Sequence, residues 1–217
     1  HSTIAPSSHI LDNFKRSIKT LTLCKRILVH TPNDMNRLKQ LGLIDNVALF
    51  PHGIIQKNQF DTKLSFNNKF RDSEIIIASH GFCLPNKCFE NLIESIDILR
   101  QKKINVKLKL YTTLHESLLS KEYLNKLIQL IQNSESRKHI LINTDYLTDE
   151  EIILYLSQAH LVVYPYQFSN ESSSAAVRHG LASDSTVLVT PSPIFDDVRS
   201  YINSTDGYGP VEISDSI

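Results

Sequence analysis

The 217-residue chain has no tryptophan, one methionine (Met35) and only three cysteines. Cys24, Cys83 and Cys88 are odd in number and form no CxxC pair. That pattern argues against a disulfide framework and for a reducing compartment. Cys83 and Cys88 bracket one loop, so redox sensitivity stays open beside the plainer reading of free packing thiols. An excess of one charge is also missing, since 23 Lys and Arg balance 23 Asp and Glu. No basic stripe of the kind that wraps nucleic acid is visible, and no nucleic-acid partner is expected. No apolar run approaches the length needed to cross a bilayer, and no charged-then-apolar leader opens the chain. The nine histidines show no HxH or HExxH spacing. No G-x-G-x-x-G turn follows the first strand, which sets aside a doubly wound sugar-phosphate epimerase. Internal repeats and low-complexity tracts are absent as well.

What is present is alternation. Short apolar runs read as strands at Ile27 to His30, Asn46 to Gly53, Glu74 to Ser79, His139 to Asn143, Leu161 to Pro165 and Thr186 to Pro191, and Val106 to Tyr111 alternates as a half-buried strand. Between them lie helical patterns. NDMNRLKQLGL opens with Asn33 or Asp34 as its cap and stops at Gly42. Asn86 to Arg100 carries the stripe Phe89, Leu92, Ile93, Ile96 and Leu99. Glu116 to Gln132 carries Leu118, Leu119, Leu124, Leu127, Ile128 and Ile131. LTDEEIILYLSQAH has Thr148 or Asp149 as cap, with Glu150 or Glu151 near the third helical position. IFDDVRSYI starts a last helix, and the polar stretch Ile54 to Asp72 reads as a linker. Repeated βα units with continuous apolar strands predict an α/β fold, a doubly wound parallel sheet with helices on both faces. Ligands of such sheets sit at the carboxyl ends of the strands. The loops His80 to Lys87, the one after Tyr111, and Tyr166 to Ser174 therefore matter most.

The richest stretch is Tyr164 to Ser183, YPYQFSNESSSAAVRHGLAS. It joins a strand to an Ala-rich helix through a loop holding Glu171 and the serines Ser172, Ser173 and Ser174. The first turn of a helix offers unpaired N–H groups and partial positive charge, which suits phosphate. Glu171 lies just ahead of it and, as an acceptor-only carboxylate, suits ligand hydroxyls. The blander readings are a loop acid, three capping serines, a satisfied histidine at His179 and a solvated lysine at Lys87. His52 and His80, at strand ends, read first as structural.

Four motifs in order resemble the C-terminal half of a family-four glycosyltransferase of the two-Rossmann (GT-B) type. NVALFPHGI resembles the hinge ending in P-N-G-V, with His52 in the asparagine position. SHGFCLPNKCFENLIESI resembles G-R-L-x-x-x-K-G and its helix, with Gly81 and Lys87 in register. LTDEEIILYLSQAHLVVYP resembles the helix and strand before the catalytic loop. ESSSAAVRHGLASDSTVLVT resembles the E-x(7)-E segment and its A-x-G-x-P-V tail. The departures are specific. The arginine position holds Phe82, the second glutamate position His179, the G-F-G positions the three serines, and the tail's Gly and Pro positions Asp184 and Thr186.

The resemblance implies a nucleotide-diphosphate sugar as donor, no cofactor and no metal, and a glycan or glycolipid acceptor. The transfer is expected to be retaining. Glu171 and Lys87 are the implied catalytic residues. Gly81, Ser172, Ser173, Ser174, His179 and Arg178 are the implied donor contacts. Residues 1–53 are expected to be the end of an N-terminal Rossmann-like domain with the hinge, 54–72 a linker, and 73–217 the donor-binding domain. The acceptor site would lie in the N-terminal domain, most of which is missing, so this fragment alone is expected to turn over nothing. The expected setting is the cytoplasm, with a peripheral contact at the inner membrane face as the widest membrane association. A rival expectation is a catalytically degenerate nucleotide-sugar-binding or scaffolding domain.

Overall fold

The computed structural model describes residues 16–55, 74–167, 171–199 and 211–213. These form two compact units. One holds residues 16–53, 171–175 and 191–199; the other holds 54–55, 74–167, 176–190 and 211–213. Most of the expected linker, from residue 56 onward, lies outside the described residues.

In the first unit a helical segment at 16–21 precedes β1 (Ile27–Val29), α1 (Pro32–Gln40) and β2 (Val47–Leu49). β1 and β2 pair in parallel, Ile27 opposite Val47 and Val29 opposite Leu49. Val29, Leu38 and Leu43 are buried at its centre, with Ile18, Leu21 and Met35 against them. The cap of α1 is Thr31, not Asn33 or Asp34: its hydroxyl accepts the N–H of Asp34. Pro32 follows at the first helical position, where its missing N–H and fixed φ cost nothing. That shifts the start toward the N-terminus. Gly42 has φ +96 and ends the helix as expected. A 3-10 turn (Pro193–Phe195) leads into α6 (Asp196–Arg199) in the same unit.

The second unit is built on six parallel strands in the order β5-β4-β3-β6-β7-β8. They are β3 (Ile75–Phe82), β4 (Val106–Thr113), β5 (Ile140–Asn143), β6 (Leu161–Tyr164), β7 (Thr186–Val189) and β8 (Val211–Ile213). Helices α2 (Phe89–Gln101), α3 (Leu118–Asn133), α4 (Asp149–Ser157) and α5 (Ala175–Ala182) connect the first of them. The chain runs outward from β3 to β5, then α4 carries it back so that β6 lies against β3. This reversal is the switch point of a doubly wound sheet. Helices cover both faces. Val106, Leu108 and Leu110 of β4 pack with Phe89, Ile93 and Ile96 of α2 and Leu127 of α3. Tyr111, on the opposite face of β4, stacks on Tyr155 of α4 with ring centroids 5.2 Å apart. Each such aliphatic or aromatic side chain contributes about 1.5–3 kcal/mol when fully buried.

Two expected elements shift. The strand expected at Glu74 to Ser79 runs on through Phe82, because β4 pairs with it residue for residue as far as Thr113. The helix expected from Asn86 starts at Phe89, after a separate 3-10 turn (Pro85–Lys87) and Cys88 in a left-handed conformation, φ 51. On α3 the expected stripe is displaced: Leu118 and Leu119 are exposed, while Tyr123 and Leu127 are buried. Tyr123 earns its place by accepting the N–H of Phe89 at 2.8 Å while donating to Glu90. The box at Thr148 forms as expected. The Thr148 hydroxyl accepts from Glu151 N–H and the Glu151 carboxylate accepts from Thr148 N–H. Among the described residues no helix is long and apolar enough to cross a membrane.

Helix α5 sits close on β6 because Gly180 has no side chain. A Cβ there would lie 2.9 Å from the Tyr164 Oη and 3.0 Å from its ring. Tyr164 cannot yield: it is fully buried and donates to Ala176 O at 2.7 Å. Gly180→Val should therefore cost about 1–3 kcal/mol through overpacking. Urea denaturation measures the loss, and Tyr164→Phe in the same chain should return part of it. An unchanged midpoint for Gly180→Val would refute the close-packing account.

Candidate functional site

The carboxyl ends of β3 and β6 bring together His80, Gly81, Lys87 and Tyr166. Gly81 has φ +150, a conformation side chains rarely adopt. A Cβ on it would lie 3.1 Å from Tyr166 Oη and 3.9 Å from Lys87 Cδ and Cε. The glycine thus lets the lysine stem and the tyrosine approach the backbone of β3. Lys87 is only 4% exposed, so the solvated reading of this residue is wrong. Its Nζ lies 4.1 Å from the centroid of the Tyr166 ring. A lysine over an aromatic face is held electrostatically by the ring quadrupole. Tyr166 is itself fixed: it is fully buried, its ring meets Tyr164 edge-on, and its carbonyl accepts from the Thr190 hydroxyl.

Beside this pair runs a chain of imidazoles. His80 Nδ1 lies 3.1 Å from the carbonyl of Tyr111, which must accept, so the ring carries its proton on Nδ1. Its ring meets that of His179, on α5, edge to face at 5.2 Å. His179 Nε2 in turn lies 3.1 Å from Asp149 Oδ1, at the start of α4. Burial, and then the neighbouring His179, push the His80 pKa from 6.5 down to about 4. At neutral pH His80 is an uncharged ring with its Nε2 lone pair available. Arg178, also on α5, is buried rather than solvated. Phe82, in the arginine position, is 52% exposed and meets His115 edge-on.

Glu171 and the three serines belong to the first unit. Ser174 is buried, while Glu171, Ser172 and Ser173 are partly so. The Ser173 hydroxyl donates to Asp197 Oδ2 at 2.7 Å, which commits its proton to a carboxylate. In that unit His52 stacks on His30 with centroids 3.7 Å apart, and His30 Nδ1 lies 2.9 Å from Phe50 O. Among the described residues no group of three or more His, Cys, Asp or Glu could hold a metal ion.

Sequence reasoning named His80, Gly81, Lys87, Arg178 and His179 but missed Tyr166, Asp149 and Tyr111 as partners. Tyr166 carried a signal, since it follows the strand end in Tyr164-Pro165-Tyr166. Asp149 was legible only as a helix-cap candidate, and its contact with His179 spans 30 residues.

No protein-family model and no curated protein matches the chain. Solved structures do. Anabaena Alr3699/HepE in complex with UDP superposes with a TM-score of 0.77 at 12% identity, over 99% of this chain and 56% of that one. The UDP-forming alpha,alpha-trehalose-phosphate synthase from Burkholderia xenovorans, in complex with glucose-6-phosphate, gives 0.72 at 9% identity, over 98% and 55%. A variant of S. aureus TarM, in complex with Fondaparinux, alpha-GlcNAc-glycerol and UDP, gives 0.66 at 12% identity, over 96% and 37%. The chain spans about half the length of the first two. At such identities the likeness shows the fold alone, the Rossmann-like α/β architecture of GT-B glycosyltransferases.

The lowered His80 pKa has a consequence for stability. Between about 4 and 6.5 the unfolded chain binds a proton that the folded ring refuses. Stability from this group is complete above 6.5 and falls as pH drops toward 4. His80→Asn keeps a donor for Tyr111 O and removes the titration. Urea midpoints across that window should rise less steeply with pH in the variant than in the native chain. Equal slopes would contradict the burial of a neutral ring.

Proposed function

We propose that the chain is the donor-binding part of a glycosyltransferase. It takes a nucleotide-diphosphate sugar and, in the whole protein, passes the sugar with retention to a glycan or glycolipid acceptor. The observation that carries this reading is the buried Lys87, held over Tyr166 beside Gly81 at the switch point of the sheet. Breaking the bond between the anomeric carbon and the phosphate oxygen leaves negative charge on the nucleoside diphosphate. A preorganised cation in a site sheltered from water stabilises that charge with little reorganisation. A side-chain-free residue at Gly81 lets a phosphate come close to the strand end. His80, neutral with a fixed tautomer, adds an acceptor without adding charge. The resemblance assigns Glu171 to the donor sugar's hydroxyls, and Ser172, Ser174, Arg178 and His179 to further donor contacts.

Two specific observations favour a second reading, a domain that binds nucleotide-sugar without transferring it. Phe82 stands where the resemblance expects arginine, and the Ser173 proton is committed to Asp197. The two readings part on catalysis and agree on binding.

Calorimetric titration with UDP, GDP and ADP tests the shared claim. At least one should bind, and Lys87→Ala should weaken it by roughly 10- to 100-fold, the worth of a hydrogen bond to a charged group. No heat with any of the three, or an unaffected variant, would overturn the donor-site reading. In the whole protein, Glu171→Gln should cut transfer by orders of magnitude while leaving nucleotide affinity nearly intact. Binding with no measurable transfer in the native protein would establish the second reading instead.

A further inference from the structure

The chain is neutral overall, but its charge is not evenly spread. The loop from α2 to β4 carries Lys102 and Lys103, both exposed, and Lys107 follows on β4. The turn before β5 carries Arg137 and Lys138, both exposed. The two loops are more than thirty residues apart in sequence but adjacent in space, since β4 and β5 are parallel neighbours with Leu108 opposite Ile140. Asp97 ties them: its Oδ1 accepts from Ser134 Oγ at 2.7 Å and from Ser136 N at 3.0 Å. Arg100 braces the same corner by donating to Val106 O at 2.9 Å.

Among the described residues three acids share this pole. Asp97 is occupied by the two serines: burial works to raise its carboxyl, but the hydrogen bonds from Ser136 and Ser134 together outweigh it and hold the group below the usual range. Glu74 lies 3.8 Å from His139. Of these three, Glu135 is the exposed one. The cations dominate, and they crowd one another: burial, with Lys107 beside it, pushes the Lys109 ammonium below its ordinary value. Two large apolar side chains stand among them, Ile98 at 52% exposure and Ile104 at 38%. Lys102 N–H donates to Ile98 O, and Ile104 N–H to Leu99 O, so both isoleucines flank the lysine turn.

We propose that this pole, at the amino ends of β4 and β5, docks the chain on an anionic lipid bilayer. Lys102, Lys103, Lys107, Arg137 and Lys138 meet headgroup phosphates, and Ile98 and Ile104 enter the acyl boundary. Each basic residue near an anionic surface contributes about 1 kcal/mol, and apolar insertion adds to it. The mix of cations with exposed isoleucines, and without aromatic side chains among the described residues there to stack bases, fits lipid better than nucleic acid. β4 is eight residues long, so the pole lies about 25 Å from the strand ends that carry Lys87. Docking there leaves the candidate donor site uncovered.

Vesicle co-sedimentation of the 217-residue chain at low salt is the test. The chain should pellet with phosphatidylcholine vesicles containing about one third phosphatidylglycerol, stay free of pure phosphatidylcholine, and release as salt rises. Lys102→Gln, Lys103→Gln, Arg137→Gln and Lys138→Gln together should lower partitioning by about a thousandfold, at ~1 kcal/mol lost per cation. Because all four side chains are exposed, circular dichroism should be unchanged. If that variant misfolds, the pair Lys102→Gln and Lys103→Gln should still lower partitioning by roughly 30-fold on the same scale. Ile104→Ser should weaken vesicle binding several-fold. Equal binding to neutral vesicles, no binding to either, or tighter binding to a duplex oligonucleotide at the same salt would overturn the proposal. All arms are read without nucleotide, so their failure leaves the donor-site reading where it stood.

Discussion

The contact on which the candidate site depends is a lysine over an aromatic ring. Lys87 sits in a short 3-10 turn after β3, and Tyr166 follows β6. They meet because the sheet reverses its winding between those two strands. Gly81 is the third member of that contact, since its φ of +150 disfavours a side chain and a Cβ there would crowd Tyr166 Oη at 3.1 Å. Ser79 secures the geometry from below by donating to Val163 O at 2.6 Å, pinning β3 to β6 just under the site. On β6 the side-chain-free Gly180 lets α5 lie close against Tyr164, and the adjacent residue, His179, meets His80 edge to face at 5.2 Å.

Electrostatics at the site follow from this packing. Lys87 and His179 both disfavour a proton on His80, and burial disfavours it more. The result is one fixed cation beside one fixed neutral acceptor. Such a pair suits a ligand that brings its own negative charge and its own hydroxyls.

Much of this was legible in the chain. The alternation of short apolar runs with helical stripes marked every strand of the larger sheet from β3 to β7, β4 by its period of two, with Lys107 and Lys109 between the buried Val106, Leu108 and Leu110, and the others as near-continuous apolar runs. Thr148 or Asp149, with Glu150 or Glu151, marked the start of α4 by spacing, and the structure selects Thr148 and Glu151. The motif containing Gly81 and Lys87 pointed to the strand end at which the candidate site is proposed. Contacts between distant elements were not legible. Nothing in the spacing said that Tyr166 would lie under Lys87, that Asp149 would meet His179, or that Ser173 would spend its proton on Asp197. The burial of Lys87 was also hidden, since a lysine after Pro85-Asn86 reads as solvated until the 3-10 turn folds it inward. The basic pole escaped for the same reason: its two loops are joined by strand pairing rather than by sequence.

Backbone amide shifts of the chain titrated with a nucleoside diphosphate test the central claim most directly. Saturable shifts concentrated at Gly81, Lys87 and Tyr166, and abolished by Lys87→Ala, are what the structure predicts. Saturable binding that leaves those three amides unmoved, with shifts confined to other elements, would contradict it.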